Sequence, residues 1–300
     1  MKKIFYIIVL SIVCILSSGC GEGHIDVTDV AYNPKIVLDA YIFGGEKVKD
    51  IKITRNFPLN KNIDISKLII QDASVLLTDI SANKTYPLSF NAQTLTYEYA
   101  GNDLIIGYGK SYKINVSATI DGKKLAASST TTVPEKGLRA VSHELGEMFY
   151  REQDANGKVK KINLNIIPSE KAVATILSIT ALDASLNTYI YDNAYSSETD
   201  TQKIKDNMDD LRQGYTWQQG IAPGTQSFSI NVEWYSIYFY SRYRVIIYAA
   251  DRNFQNYLLT AKNVMEQDGN FHEPKMYIDG DGIGVFGSAV KDTAYFSIKR

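Results

Sequence analysis

The chain has 300 residues, 45% hydrophobic and 22% charged, a composition typical of a folded globular protein and not of a disordered polymer. With 32 basic and 33 acidic residues, the net charge of −1 supplies no field that would gather phosphate backbones, so we expect no nucleic-acid partner. The 21 Tyr residues, set against 7 Pro, favour half-buried pleated surfaces, and the composition therefore predicts a mainly β fold.

The first 19 residues have the pattern of an export signal. Two lysines precede an apolar run over residues 4–16, and small residues then lead to Cys20. This run of 13 residues is shorter than the roughly 20 that a membrane-spanning helix needs. Leu16-Ser17-Ser18-Gly19-Cys20 looks like a bacterial lipobox in which the leucine is displaced by one position. We therefore predict lipidation of Cys20 and attachment to a membrane through the lipid, with plain secretion as the alternative.

Residues 20–33 are predicted to form a lipidated tether. The sequence has two cysteines, Cys14 inside the signal and Cys20 at the predicted anchor, so we expect no disulfide in the body. His24 and the acids near it suggest a metal site, but a solvated linker is the better interpretation.

Residues 34–134 alternate apolar and polar side chains in short runs, a pattern typical of an immunoglobulin-like or transthyretin-like sandwich. Asp121-Gly122 between two alternating runs predicts a hairpin with a type I′ turn, because both loop residues can adopt positive φ. Seven strands are predicted, near residues 35–43, 49–56, 73–79, 84–90, 95–100, 111–120 and 123–133.

The break at residues 133–137 (Val-Pro-Glu-Lys-Gly) predicts a domain boundary, followed by a β-rich domain over residues 138–300 with two short helices. The first helix is predicted near residues 200–212. The second is predicted near residues 252–266, with Asp251 as its N-cap. Strands are predicted at 162–166, 172–182, 226–235, 242–250 and 293–298.

A glycine-rich run, Asp-Gly-Asp-Gly-Ile-Gly-Val-Phe-Gly, occupies residues 279–287. It lacks the glutamate that closes an EF-hand calcium loop and the Lys-Ser/Thr pair of a phosphate loop. The run therefore predicts a turn with close backbone packing, and no metal or phosphate site.

Together with Asn270-Phe271-His272-Glu273-Pro274, this run resembles the closing signature of a Bacteroidota-type outer-membrane lipoprotein family catalogued as domain-of-unknown-function family 4249. The preceding strand and helix follow the family's order. The extended segment at 34–42 and the stretch at 109–116 are also similar, whereas 138–200 lacks the paired tyrosines expected after a proline. Members of this family are commonly found near TonB-dependent outer-membrane transporters. The resemblance therefore implies an accessory or substrate-capturing lipoprotein of the outer membrane, on either its periplasmic or its cell-surface face, with no established catalytic residues.

The residues that could carry enzyme chemistry are few. The three histidines, His24, His143 and His272, lie in no metal-binding repeat, and His143-Glu144 lacks the second histidine of a zinc-protease helix. We therefore expect no enzyme activity, no cofactor and no metal.

Binding residues are predicted in the aromatic segment 234–243. Alternation in a strand would place Trp234, Tyr238 and Tyr240 on one face, where they could contact a ligand or partner, and Trp217 is a further candidate. The interpretation that we favour for this segment is that one face belongs to the core and the other forms a cross-strand ladder. We expect a non-enzymatic partner of a TonB-dependent transporter, with an envelope assembly or adhesion module second and an enzyme third. A concave aromatic pocket would favour substrate capture, and a flat apolar patch would favour an assembly module. A cleft that contains acidic residues with shifted pKa values would favour catalysis.

Overall fold

The computed structural model describes residues 32–58, 64–214, 217–261 and 274–300, without the side chains of 65, 66 and 217. Residues 34–57 and 63–300 belong to one compact unit. Residues 1–33 and 58–62 belong to another, of which only 32, 33 and 58 are described. The predicted signal, Cys20 and most of the predicted tether therefore lie outside the described residues.

The described residues form a mainly β fold, which confirms the predicted fold class. They contain sixteen strands and three short α-helices. The strands are β1 (Ile36–Phe43), β2 (Lys52–Arg55), β3 (Ser74–Asp79), β4 (Lys84–Asn91), β5 (Thr96–Glu98), β6 (Ser111–Ile120), β7 (Lys123–Thr132), β8 (Arg139–Ala140), β9 (Glu144–Phe149), β10 (Ile162–Ile167), β11 (Ala174–Ala181), β12 (Trp217–Gly220), β13 (Phe228–Val232), β14 (Arg242–Ala250), β15 (Asp279–Gly280) and β16 (Gly282–Lys299). The helices are α1 (Thr201–Asp206), α2 (Met208–Gln213) and α3 (Arg252–Ala261).

The first sheet has the order β15-β7-β6-β3-β4-β5. Its central hairpin joins β6 to β7 through Asp121 and Gly122, whose φ angles are 51° and 78°. Ile120 is paired with Lys123, so the loop has two residues and both have positive φ. The predicted type I′ hairpin is therefore confirmed.

A second sheet has the order β12-β11-β14-β16-β1-β2, with β9 also paired to β16, and β13-β10-β8 form a third. One face of the second sheet packs into the hydrophobic core. Tyr243 on β14 and Phe296 on β16 are each 1% exposed, and their rings stack with centroids 5.0 Å apart. Period-two burial along β14 and the end of β16 keeps the apolar side chains on the core side.

Strand β1 corrects the predicted division of the chain. We placed it in a sandwich of residues 34–134, but β1 runs parallel to β16, with Ile36 opposite Gly282 and Phe43 opposite Ala289. Conversely, β15 pairs with β7 in the first sheet. The predicted boundary therefore does not separate the sheets, and both halves belong to the same compact unit. Alternation along the sequence identifies a strand but not a distant parallel partner.

The predicted helix at 200–212 is two helices, α1 and α2, that meet at Asn207. Asp200 caps α1, because its Oδ1 accepts the amide of Gln202 at 2.9 Å. The predicted cap of α3 is confirmed, since Oδ1 of Asp251 accepts the amide of Phe254 at 3.0 Å. The last predicted residues of that helix, 262–266, lie outside the described residues.

The glycine-rich run forms β15, a bend at Asp281 and the first residues of β16, so it is strand over most of its length where a turn was predicted. Close backbone packing is confirmed, however, because Gly284 has a φ of +105° and a Cβ there would collide with the carbonyl oxygen of Leu38 on β1. Only glycine meets both requirements without strain. The run therefore serves the pairing of β1 with β16.

Candidate binding surface

Trp234 is a core residue, which corrects its prediction as a binding residue. Strand β13 ends at Val232, and Trp234 begins a 3-10 turn, so the predicted strand alternation does not extend to it. The indole is 6% exposed. Its Nε1 donates to the carbonyl oxygen of Lys160 at 2.9 Å, and its ring meets Tyr150 edge to face at 5.6 Å. A ligand at the surface cannot reach the face of this indole.

The other predicted binding residues are separated. Tyr238 and Tyr240 are half-buried in the irregular segment that leads into β14, so they share no strand face with Trp234. The guanidinium of Arg300 lies 5.6 Å from the ring centre of Tyr240. Trp217 begins β12, but its side chain is not described. Of the four candidates, Tyr238 lines a surface cavity.

Three exposed tyrosines lie on the segment of Tyr238 and on the loop that is hydrogen-bonded to it. Tyr191, Tyr195 and Tyr235 are 43%, 50% and 39% exposed. The rings of Tyr195 and Tyr235 meet edge to face with centroids 6.3 Å apart, and the amide of Ile190, next to Tyr191, donates to the carbonyl oxygen of Tyr238 at 3.0 Å. We call Tyr191, Tyr195, Tyr235 and Tyr238 the tyrosine surface.

A buried asparagine fixes the loop that carries two of these tyrosines. The side chain of Asn193 donates from Nδ2 to the carbonyl oxygen of Ile237 at 2.8 Å. Its Oδ1 accepts the amide of Tyr195 at 2.8 Å and the hydroxyl of Tyr150 at 3.1 Å. Burial raises the pKa of Tyr150, so its hydroxyl keeps its proton and remains a donor. The loop is therefore held in one conformation by hydrogen bonds that the core protects.

The tyrosine surface lies in an acidic part of the chain. Residues 183–214 contain seven acidic and three basic residues, whereas the whole chain is nearly neutral. Asp192, Asp209 and Asp210 are exposed, and none makes a side-chain hydrogen bond or ion pair with another described residue. The guanidinium of Arg151 lies 5.7 Å from the ring centre of Tyr195.

Two cavities flank the contact between Tyr195 and Tyr235. The first, about 610 Å³, is lined by residues of the loop 191–199. The second, about 420 Å³, lies between α2 and the segment 235–238. We call the second the α2 cavity. Its lining combines two aromatic rings, a carboxylate, an amide and an aliphatic side chain, from Asn207, Asp210, Leu211, Gly214, Tyr235 and Tyr238.

The described residues contain no group of three or more His, Cys, Asp or Glu side chains placed to hold a metal ion. No helix among them has the length and apolarity to cross a bilayer. Asp251 has a pKa raised by burial, but its carboxyl lies in the core and lines none of the cavities described above. His143 is exposed and paired through Nε2 with Asp292 at 2.9 Å.

A family model described as "Domain of unknown function (DUF4249)" matches residues 24–293. The chain belongs to this family, which confirms the resemblance found in the sequence. No curated protein matches the chain. A solved structure described as "Structural insight into host cell surface retention of a 1.5-MDa bacterial ice-binding adhesin" has 10% sequence identity to the chain and a TM-score of 0.22. That match covers 89% of this chain and 65% of the other.

Tyr191 and Tyr195 were not predicted as binding residues. The segment 189–195 reads Tyr-Ile-Tyr-Asp-Asn-Ala-Tyr, with neither the period of a strand nor that of a helix beyond its first residues. Aromatic residues in an irregular segment that also carries Asp and Asn are a signal for an ordered surface loop. Aromatic residues are densest in 234–243, so composition directs the prediction to that segment and not to 189–195.

Proposed function

We propose that this chain is a non-enzymatic outer-membrane lipoprotein, anchored through Cys20, that acts as an accessory or substrate-capturing partner of a TonB-dependent transporter. The lipobox-like sequence at Cys20 supports the anchor. The resemblance to a family found near such transporters supports the partner. The observation that carries a binding role is the tyrosine surface, with three exposed rings, two of them on a loop fixed by Asn193.

Exposed tyrosines on a fixed loop are suited to binding for an energetic reason. A tyrosine side chain has few rotamers to lose, so it contributes a large contact area at low entropic cost. The backbone of the loop is already ordered by the bonds of Asn193, which removes a further cost of association. Truncating such a ring at the centre of an interface typically costs about 2 kcal/mol or more, roughly thirtyfold in affinity.

The test is affinity purification of the chain, with Cys20 intact, from detergent-solubilised membranes. We compare the parent with a Tyr195→Ser/Tyr235→Ser double variant and with a Tyr277→Ser control, because Tyr277 is 47% exposed and lies outside the tyrosine surface. The parent and the control should bring down a TonB-dependent transporter. The double variant should lose most of it while its melting temperature stays within a few degrees of the parent.

The same purification separates the alternatives. Envelope structural proteins in place of a transporter would favour the assembly or adhesion module and contradict the proposed partner. A double variant that retains the transporter at the parent level would show that the tyrosine surface is not the contact.

A further inference from the structure

We infer that the outer face of β14 holds a site for the carboxylate of an acidic saccharide, a uronate, centred on Arg244. The outer face is the side of the second sheet opposite to the core side on which Tyr243 and Phe296 stack. This site contains no residue of the tyrosine surface and does not depend on the proposed transporter partner.

Arg244 is a half-buried cation whose guanidinium lacks a partner. Its Nε is buried and makes no hydrogen bond, and no ion pair joins the guanidinium to an acid in the described part of the chain. The strands on both sides of Arg244, β11 and β16, are described along their whole length. Burial removes water that would otherwise solvate this charge, so an unpaired cation here costs stability. An anion that pairs with the exposed part of the guanidinium would offset that cost.

Cations on either side of Arg244 along the same face have acidic partners. Arg242, two residues earlier on β14, pairs with Glu144 at 2.6 Å. Lys291 on β16, beyond Arg244 in the other direction, pairs with Glu46 at 2.9 Å. The chain thus supplies a carboxylate to each of these cations and none to the one between them. Because a guanidinium and a carboxylate are both planar and can form two parallel hydrogen bonds, a carboxylate is the complement of Arg244.

The side chains around Arg244 carry hydroxyl groups. Thr180 on β11 and Tyr295 on β16 lie directly opposite Arg244, and Ser178 and Thr293 lie one step further along the same face. All four are half-buried, and none of their hydroxyls makes a hydrogen bond to another residue that the structure describes. These hydroxyls can both donate to and accept from the hydroxyls of a sugar.

The make-up of the face favours a sugar over an acidic segment of a protein. The centre of a protein–protein interface is depleted of charge and enriched in aromatic side chains that the partner buries. No large hydrophobic side chain of β11, β14 or β16 is exposed, and all three strands are described throughout. A pleated surface of hydroxyls around one unpaired guanidinium suits instead an extended polyhydroxylated chain that carries carboxylates, which is the chemistry of a uronate saccharide.

The test measures binding of trigalacturonate to the full chain in detergent by isothermal titration calorimetry. Its methyl ester, with the same rings and no charge, is the neutral probe, and acetyl-Glu-Gly-Glu-Gly-Glu-amide represents an acidic protein segment. Arg244→Met should weaken binding of trigalacturonate about tenfold or more, since it removes the guanidinium. Lys291→Met removes the same charge from the same face, where Glu46 already neutralises it, so it should weaken binding less than about twofold.

The melting temperature gives an independent readout. Because Arg244→Met removes a partly buried charge without a partner, this variant should melt at or above the temperature of the parent when no ligand is present. Trigalacturonate should raise the melting temperature of the parent and leave that of Arg244→Met unchanged. A variant that melts below the parent would show that the guanidinium already has a stabilising partner within the chain, and this would overturn the inference.

Four binding results would also overturn it: no binding of trigalacturonate to the parent, equal binding of its methyl ester, equal loss in both variants, or tighter binding of the acidic peptide. Equal loss would mean a diffuse field and no site, and tighter binding of the peptide would mean a protein partner on this face. None of these outcomes bears on the transporter, because neither substitution changes the tyrosine surface.

Discussion

Replacing Asp251 by Asn and by Ala separates the hydrogen-bonding role of a buried carboxyl from the cost of its charge. Its Oδ1 accepts two backbone amides, from Phe254 at 3.0 Å and from Ser288 at 3.1 Å. Its Oδ2 accepts the hydroxyl of Thr131 at 2.6 Å, and that hydroxyl oxygen is also 2.7 Å from Oγ of Ser288. One side chain thereby links β7, β16 and the start of α3.

The two substitutions should differ greatly in stability. Alanine leaves two buried amides without an acceptor, at about 1–3 kcal/mol each, offset in part by removal of a carboxylate that burial disfavours. We expect Asp251→Ala to lose about 2–4 kcal/mol. In Asp251→Asn, Oδ1 can still accept hydrogen bonds from both backbone amides. Nδ2 can donate to the hydroxyl oxygen of Thr131, and that hydroxyl can then donate to Oγ of Ser288. We expect a change within about 1 kcal/mol near pH 7.

The pH dependence gives the second readout. Desolvation raises the pKa of Asp251 above the value of about 3.9 for Asp in an unfolded chain, although the bonds from Thr131 and the amides oppose the shift. The folded state therefore holds this proton more tightly. The stability that the protonated carboxyl contributes is fully present below the pKa of Asp251 in the unfolded chain. It is lost as the pH rises through the pKa of Asp251 in the folded protein. The parent should lose stability relative to Asp251→Asn between pH 4 and neutrality.

The assay is urea unfolding of parent and variants from pH 4 to pH 7, followed by tryptophan fluorescence. A constant difference between parent and Asp251→Asn across this range would refute the raised pKa. An Asp251→Asn variant as unstable as Asp251→Ala would refute the hydrogen-bond argument, because it would mean that the charge itself is required.

Four further predictions concern the anchor, the strands and the core. Cys20→Ala should give a folded protein that no longer sediments with membranes, and its retention there after a salt wash would contradict the lipid anchor. Gly284→Val should cost about 2 kcal/mol or more in thermal unfolding, because the position has positive φ against the backbone of β1, and an unchanged melting temperature would contradict this. Trp234→Ala should lose about 3–5 kcal/mol in urea unfolding, whereas a stable variant with impaired partner binding would restore its predicted binding role. A chain ending at Pro134 should not fold, since β1 loses its partner β16, and cooperative unfolding of that fragment would count against the assigned topology.

Local chemistry made most of the first sheet predictable. The predicted runs at 111–120 and 123–133 became β6 and β7 with nearly the same bounds, because alternation and the Asp121-Gly122 loop act within a few residues. The cap at Asp251 was predictable for the same reason, since a cap needs only the three residues that follow it.

The rest of the fold and the tyrosine surface could not be predicted, because they depend on pairing between distant segments and on irregular backbone. The partner of β1 lies at the other end of the chain, and no local pattern indicates it. At Trp234 the chain leaves the strand for a 3-10 turn, so a side chain expected at the surface turns into the core beside Tyr150. Tyr191 and Tyr195 reach the surface through a loop whose conformation depends on the buried bonds of Asn193 to the segment around Ile237.

Site-specific photo-crosslinking in intact cells tests most directly whether the tyrosine surface is the contact with a transporter. A photoreactive phenylalanine analogue replaces Tyr195 in one variant, Tyr235 in a second and Tyr277 in a third. We expect an adduct with a TonB-dependent transporter, identified by mass spectrometry, from positions 195 and 235 and none from position 277. A transporter adduct from position 277 alone, or no transporter adduct at 195 and 235 in variants expressed at the parent level, would show that the tyrosine surface is not the contact.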